Sequence, residues 1–312
     1  MNVLMKISVL GLLVFVFAYA KAQSTVIKIT GTRFPFEIMQ QWIDVYSKTH
    51  PGVQFQLSKS IAADSADLLI AAHAFRNGEL NDEQTIIAVN RYVQLPIANI
   101  NRKDIATLQL KGFTTRDMKN IYFEQSDEIK TDALNEPVQV YGRDKRVCAS
   151  RSFAENVTGN QWNVAGILVN GDDRALSAAV KKDINGISYN NLSLIYDLAT
   201  RRIADSIAVI PIDINENGKI DADENIYATL DDVLNFLSVP RNTIIPQDNV
   251  NIVINKNKAN AASLDFLRWI ITSGQEYNRA YGFLNLEKTI VDEQQQLLSA
   301  IAKHKIDLTI IN

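Results

Sequence analysis

The sequence contains very little of the side-chain chemistry used by metal sites and hydrolytic enzymes. Among 312 residues there is one cysteine, Cys148, and there are 3 histidines. A single thiol excludes an intramolecular disulfide. No His-Glu-x-x-His, Gly-x-Ser-x-Gly, Walker-type or Gly-x-Gly-x-x-Gly motif occurs. We therefore expect that this protein is not an enzyme, and we interpret Cys148 as a small buried hydrophobic residue.

Neither sign of charge is in large excess. There are 32 Lys and Arg against 35 Asp and Glu, a formal net charge of −3, which becomes −5 without Lys6 and Lys21 of the N-terminal segment. This balance gives no support to binding of nucleic acid or of an anionic membrane. The hydrophobic content of 46% is ample for buried cores. The length favours two domains.

The start of the chain has the features of a secretory signal peptide. An early lysine is followed by an apolar run over residues 7–18 and by small residues at Ala20 and Ala22. The run is short for a membrane span, although a membrane anchor is the alternative. We expect cleavage of residues 1–22 and a mature chain, from Gln23, that lies in the periplasm without membrane insertion.

Hydrophobic periodicity predicts an α/β fold. A β-rich run at 24–29 is followed by residues 36–46, whose apolar side chains recur at helical spacing. Alternation at 53–57 and a continuous apolar run at 66–72 then predict two strands. The β-α-β order is typical of a parallel sheet covered by helices.

Similar patterns continue to the C-terminus without repeats or flexible linkers. Further strands are predicted at 86–95 (closed by Pro96), 138–141, 186–189, 207–212 and 250–254, and helices at 114–123, 172–182, 230–237, 259–280 and 287–303. Thr114 or Thr115 is the expected cap of the first of these helices, and Asp172 is an anionic cap at the start of the second.

Residues 213–224, DINENGKIDADE, have the spacing of an EF-hand calcium loop. Oxygen-bearing side chains recur at the first, third, fifth, ninth and twelfth positions, with glycine at the sixth. The predicted ligands are Asp213, Asn215, Asn217, Lys219 (through its carbonyl oxygen), Asp221 and Glu224.

The context of this loop predicts a structural Ca²⁺ rather than a sensor. A strand precedes the loop and no second loop of this kind exists, whereas a sensor reorients two helices. We expect the ion to tie the strand that ends near Ile212 to the helix that follows Thr229. An accidental acidic turn is the alternative.

Several segments, in this order, resemble the PstS-like phosphate-binding proteins of bacterial ABC transporters. The similar segments are GTRFP at 31–35, HPGVQFQ at 50–56, ADLLIAAHAF at 66–75, FTTRDMKNIYF at 113–123, VQVYGRDKR at 138–146, DINGISYNNL at 183–192 and LDFLRWIITSGQEYNRAYGFLNL at 264–286. The resemblance implies a two-lobed type II periplasmic binding protein fold with a cleft between the lobes. It implies one lobe of residues 23–95 and 240–312 and a second lobe of residues 96–239, which includes the calcium-like loop.

In such proteins the two lobes close on an anion held by helix N-termini, hydroxyl groups and an arginine. By resemblance, Thr32 matches the hydroxyl ligand of the first lobe and Arg143 the arginine of the second. The Ser-Gly-Thr that follows this arginine in the family aligns with residues 147–149. A slip of one residue instead makes Ser150 a hydroxyl ligand, followed by the cation Arg151.

The expected ligand site departs from the family pattern. SKSIAADS at 58–65 replaces a serine- and glycine-rich stretch, and Ala72 and His73 stand where the family has Asp or a Ser-Arg pair. Losing three or four charge-assisted hydrogen bonds, at about 1.5–3 kcal/mol each, would lower the affinity by several powers of ten. As alternatives, Thr32 is a helix N-cap, Arg143 a solvated turn residue and His73 a sheet-end residue.

We expect an exported solute-binding protein that captures phosphate or a related anion for an ABC importer, with a degenerate ligand site. The expected partners are the anion and an ABC permease, and the chain is expected to be a monomer. The alternative is a calcium-stabilised periplasmic interaction module that does not transport, has a cleft without ligand and binds another envelope protein.

Overall fold

A computed structural model describes residues 25–124, 134–144, 146–160, 164–239 and 243–311, with side chains described as far as residue 303. The predicted signal peptide at 1–22 lies outside the described residues.

Within these residues, nine strands form one mixed sheet. The strands are β1 (Thr25–Gly31), β2 (Val53–Leu57), β3 (Leu68–Ala71), β4 (Gln84–Asn99), β5 (Gln139–Gly142), β6 (Ile167–Leu168), β7 (Gly186–Asn191), β8 (Ile207–Val209) and β9 (Gln247–Asn255). Their order is β2-β1-β3-β9-β4-β7-β5-β6, and β8 pairs with β4. β1 is parallel to both β2 and β3, as the β-α-β pattern predicts.

Strand β4 connects the two halves of the sheet. Its first part pairs antiparallel with β9, and its last residues pair antiparallel with β7 and β8. The prediction that this strand closes at Pro96 is wrong, because β4 continues to Asn99. Proline is compatible with extended backbone, and the Pro96 carbonyl still accepts a hydrogen bond from the amide of Ile210 at 3.0 Å.

The chain segments that connect these strands contain the helices, which cover the sheet. They are α1 (Phe36–Thr49), α2 (Ile105–Lys111), α3 (Thr115–Phe123), α4 (Cys148–Thr158), α5 (Asp173–Lys182), α6 (Leu192–Ile195), α7 (Leu230–Ser238), α8 (Ala261–Ile270) and α9 (Lys288–Ile311), with short 3₁₀ segments at Ala63–Ser65 and Ser273–Tyr281. The expected cap of α3 is confirmed, because Thr114 and Asp117 form a capping box. None of the helices in the described part of the chain is both long and apolar enough to cross a membrane.

The long helix predicted over 259–280 is wrong. α8 ends at Ile270, and a 3₁₀ segment begins at Ser273. A tertiary contact accompanies this break: the indole nitrogen of Trp42 donates to the carbonyl oxygen of Gly274 at 2.8 Å. A Cβ at Gly274 would lie 3.2 Å from the same indole nitrogen, so glycine permits the close approach.

The buried side chains form two hydrophobic cores. Core A consists of buried residues between 27 and 92 and between 250 and 301, and it includes Trp42 and Phe266. Core B consists of buried residues between 93 and 245 together with Leu284, and it includes Phe153 and Tyr189, whose rings stack at 4.0 Å. The proposed lobe boundaries stay a prediction.

Helix α9 packs on core A. Leu298 and Ile301 are buried there, and the side-chain oxygen of Gln294 accepts the backbone N–H of Ala88 in β4 at 3.1 Å. The described part of the C-terminal segment therefore lies on the body of the protein.

Candidate functional site

Residues that are far apart in the chain meet at the first turn of α4. Thr32 and His73 follow the adjacent parallel strands β1 and β3, so they reach the same edge of the sheet. The hydroxyl of Thr32 donates to the sulfur of Cys148 at 2.9 Å, and Nδ1 of His73 lies 3.0 Å from the same sulfur. We call Thr32, His73 and Cys148 the Cys148 cluster. Cys148 packs against core A, whereas Phe153 and Val157, farther along the same helix, belong to core B.

The Cys148 cluster changes two expectations for its members. Cys148 is half-buried, not fully buried, and its sulfur accepts a hydrogen bond. Thr32 is not the N-cap of α1, because Pro35 occupies that position and no side chain caps it. The cluster therefore engages the hydroxyl group that the sequence suggested as an anion ligand.

His73 contributes no positive charge to this cluster near neutral pH. Burial, and to a lesser extent the nearby guanidinium of Arg151, lower the pKa of His73 to about 4, whereas Glu79 and Glu155 act in the opposite direction. A neutral imidazole can donate or accept one hydrogen bond at each ring nitrogen, but it does not attract an anion by its charge.

Arg143 is held by groups that precede or begin α5. Its guanidinium forms an ion pair with Asp173 and donates to the carbonyl oxygen of Gly171. Its side chain is only 11% exposed, so the solvated-turn alternative is wrong. Burial raises the pKa of Asp173, while the positive charge of Arg143 opposes that shift.

A second arginine reaches the same carbonyl oxygen. Arg33, in the turn between β1 and α1, donates through Nη2 to Gly171 O at 3.4 Å. The sequence analysis did not single out Arg33, although it lies next to Thr32 in the GTRFP segment. The position of Arg33 directly after Thr32, the predicted hydroxyl ligand, is the sequence signal that could have identified it.

Ser150 and Arg151 lie deeper, on α4. Ser150 is fully buried; its hydroxyl donates to the carbonyl oxygen of Arg143 at 2.6 Å and accepts from the Tyr189 hydroxyl at 2.8 Å. Arg151 donates to the carbonyl oxygen of Ala74 at 2.8 Å and to Glu79 at 2.5 Å. Both predicted ligands therefore serve contacts within the protein, and Arg151 links α4 to the segment between β3 and β4.

Helix α4 itself was missed by sequence reasoning. Its signal was present, because Ala149, Phe153 and Val157 recur every four residues and are all buried. The structure thus brings together Thr32, Arg143 and the start of α4, and it adds His73, Arg33 and Cys148 as contacts of this region.

The calcium-like loop is compact and internally hydrogen-bonded. Both carboxylate oxygens of the buried Asp213 accept backbone amides, from Asn217 at 3.3 Å and from Gly218 at 2.7 Å. The carboxylate of Glu224 accepts two further backbone amides of the loop, at 2.9 and 3.1 Å. Gly218 has φ +88°, the left-handed conformation that the sixth position requires.

Asp221 lies on the exposed side of this loop. It accepts hydrogen bonds from the side-chain amides of Asn215 and Asn217 at 3.0 and 2.7 Å, and from the ammonium group of Lys219 at 2.5 Å. Lys219 and the two amides lower the pKa of Asp221 to about 2. Among the described residues, no three His, Cys, Asp or Glu side chains are grouped as they stand to hold a metal ion.

The loop is also anchored to the body of the protein. The amide of Ile220, at the eighth position, donates to the carbonyl oxygen of Leu110 at 2.8 Å. Its side chain packs against Gly112, where a Cβ would lie 2.4 Å from Cδ1 of Ile220. The loop is therefore fixed on α2 as well as on α7, which follows it.

Comparisons of the fold find similar solved structures, whereas no protein-family model and no curated protein matches the sequence. A putative phosphate ABC transporter substrate-binding protein from Clostridium perfringens with bound phosphate has a TM-score of 0.64 at 15% identity, covering 84% of this chain and 100% of that one. An ABC-type phosphate transport receptor from Vibrio cholerae has a TM-score of 0.60 at 13% identity, with coverage of 84% and 100%.

A regulatory protein shares the fold as well. The CcmR regulatory domain of Synechocystis in complex with 2-PG has a TM-score of 0.51 at 11% identity, and covers 80% of this chain and 98% of that one. At these identities the likeness shows the fold. The resemblance that the sequence motifs indicated is confirmed at that level, because the mixed α/β architecture is shared with these solved phosphate-binding proteins.

Proposed function

We propose that this protein is an exported, periplasmic solute-binding protein that captures phosphate or a related oxyanion for an ABC permease. One observation carries the proposal: Thr32, Arg143 and the first turn of α4 meet between two cores of a fold shared with solved phosphate-binding proteins. Hydroxyl groups, a guanidinium group and helix N–H groups are the donors that oxyanions prefer. Hydrogen-bond donors that bind an anion are sufficient for capture, so this function requires no catalysed reaction.

The same contacts favour weak binding. The hydroxyls of Thr32 and Ser150 and the guanidinium of Arg151 already have partners within the protein. An anion that used them would break existing bonds, and each charge-assisted bond contributes about 1.5–3 kcal/mol. We therefore expect this site to bind an anion with lower affinity than a site whose donors have no partner within the protein.

A thermal-shift panel tests this function. We expect phosphate to raise the melting temperature more than chloride at the same ionic strength, because a ligand that binds only the folded state stabilises it by about 2.7 kcal/mol at 100 times its dissociation constant. Sulfate and small carboxylates complete the panel and define the preferred anion. A melting temperature that no oxyanion raises at millimolar concentration would overturn the proposal.

We further propose that residues 213–224 bind a structural Ca²⁺. The donor set supports this, because Asp213, Asn215, Asn217, Asp221 and Glu224 supply side-chain oxygens and Lys219 a carbonyl oxygen from one short loop. The glycine conformation at the sixth position and the inward packing of Ile220 at the eighth also agree with such a loop. The bound ion would stabilise the connection between β8 and α7.

A further inference from the structure

The first turn of α4 offers little to an additional anion. The hydroxyl of Thr32 is engaged by Cys148, and the third member of the Cys148 cluster, His73, is neutral at ordinary pH. The hydroxyl of Ser150 is engaged by the backbone of Arg143. A thiol and a neutral imidazole supply no positive charge. The positive charge that a negative ligand requires must therefore come from other residues.

Two guanidinium groups converge on one oxygen. Arg33 follows β1 on the core A side, and Arg143 follows β5 on the core B side. Both donate through Nη2 to the carbonyl oxygen of Gly171, just before α5. Two like charges this close repel each other, and an acceptor between them offsets that repulsion. A neutral carbonyl group offsets it less than an anionic oxygen would.

The surrounding carboxylates form no ion pair with Arg33, although its charge, like that of Arg143, acts to lower the pKa of Asp173. Asp173 pairs with Arg143, and Glu37 pairs with Arg174 at 2.7 Å. Asp172 caps α5 and lies 3.9 Å from Arg174. Among the residues that the structure describes, no carboxylate lies within ion-pair distance of Arg33, whose only hydrogen bond there is to Gly171.

We propose that Arg33 and Arg143 supply the positive charge of the anion site of this protein, beside the first turn of α4. The inference rests on the proposed function and specifies its ligand: an oxyanion with several terminal oxygens, such as a phosphate or sulfate group, bound by two guanidinium groups in place of the Gly171 carbonyl. Arginine suits this role because its planar donors match such oxyanions bidentately.

The two arginines have different roles in this site. Arg143 is fixed by the ion pair with Asp173 and is largely buried, so it is the preorganised half. Arg33 is exposed and bound only to a carbonyl oxygen, so it can move onto a ligand that enters from solvent. An anion bound at Arg33 would also neutralise the positive charge of this guanidinium group, which forms no ion pair with a described residue.

The test is calorimetric titration of the full mature chain with inorganic phosphate and, separately, with sulfate. We expect Arg33→Gln to weaken binding about ten- to a hundredfold, as expected for the loss of a charge-assisted contact, while the melting temperature without anion stays unchanged. Arg174→Gln is the matched control, since that arginine lies at the same rim but is paired with Glu37; we expect less than about a threefold change. Arg33→Lys keeps the charge but loses the planar bidentate donors, so its loss of affinity should lie between those of the other two variants.

The outcomes separate this inference from the function on which it rests. If the unmodified protein binds neither anion, the proposed function fails and this inference fails with it. If the unmodified protein binds phosphate or sulfate and Arg33→Gln binds it equally well, only the assignment to Arg33 and Arg143 fails. Equal losses in Arg33→Gln and Arg174→Gln would indicate general electrostatic attraction and would also overturn the assignment.

Discussion

At the scale of single residues, His73 and Cys148 stand at positions that the sequence resemblance associates with an anion site, and they contact other residues of the chain. By the resemblance of the motifs, His73 stands where the family has an acidic residue or a Ser-Arg pair, and Cys148 stands at a small or hydroxylated position. In this protein the sulfur of Cys148 lies 3.0 Å from Nδ1 of His73 and 2.9 Å from the hydroxyl oxygen of Thr32.

The titration of His73 predicts a pH dependence of stability. Because its pKa falls from an ordinary 6.5 to about 4 in the folded protein, the unfolded chain binds more protons between these two values. The stability that His73 contributes is present above pH 6.5 and is lost as the pH falls towards 4. Since His73 is partly exposed, we expect a loss of about 2 kcal/mol, reduced from the full value for the shift by solvent screening.

Denaturant unfolding at several pH values between 7.5 and 4 measures this effect. The unmodified protein should lose more stability than His73→Gln over this range, with the difference developing between pH 6.5 and 4. Stability curves that run parallel for the two proteins would show that His73 keeps the same pKa in the folded and unfolded states.

At the scale of elements, the 213–224 loop connects β8 with α7 and contacts α2 on the core B side. It follows β8, rests on α2 through Ile220 and leads into α7, whose N-cap Thr229 forms a capping box with Asp232. Two carboxylates, Asp213 and Glu224, already organise the loop by accepting backbone amides. A cation placed among the loop oxygens would add to a conformation that the chain adopts through its own hydrogen bonds.

We expect Ca²⁺ to raise the melting temperature and EDTA to reverse the rise. The stabilisation is about 2.7 kcal/mol at 100 times the dissociation constant, because Ca²⁺ binds the folded loop only. Glu224→Gln removes the expected bidentate ligand and should abolish the Ca²⁺ response. Asp223→Asn is the matched control, since it removes one charge from the same loop at a position without a ligand role. Equal responses to Ca²⁺ in the two variants would contradict the assigned ligand set.

At the scale of the whole molecule, polar contacts join residues of the core A side to residues of the core B side. Arg151 on α4 reaches Glu79 in the segment between β3 and β4, and Glu155 on the same helix accepts from Arg76 at 3.0 Å. Another link lies farther along the interface, where Arg201 donates to the carbonyl oxygen of Arg279 at 3.0 Å. These bonds and the Cys148 cluster join the two sides of the protein.

Small-angle X-ray scattering tests whether these contacts persist in solution. We expect the radius of gyration to stay the same when saturating phosphate is added, because the two sides are in contact beforehand. Arg151→Ala removes the ion pair with Glu79 and should increase the radius in the absence of phosphate. A clear contraction of the unmodified protein on adding phosphate would show that the ligand-free chain is open in solution.

The sequence by itself determined those features that depend on neighbours a few residues apart. The capping signals at Thr114 and Asp172 and the apolar periodicity of α1 correctly predicted helices, and the colinear motifs indicated the shared fold. Such signals are readable because capping bonds and helical faces join residues within one or two turns. Thr32 and Arg143 could be proposed for the same reason, since each lies inside a short recognisable segment.

Only the tertiary structure decided how those residues are used. The break between α8 and the 3₁₀ segment coincides with a contact to Trp42, and the partner of Thr32 is Cys148, 116 residues away in the chain. No local periodicity encodes such pairs, because they form when the cores on the two sides of β4 pack together. The meeting of Arg33 and Arg143 at one carbonyl oxygen belongs to the same class, and it locates the proposed anion site.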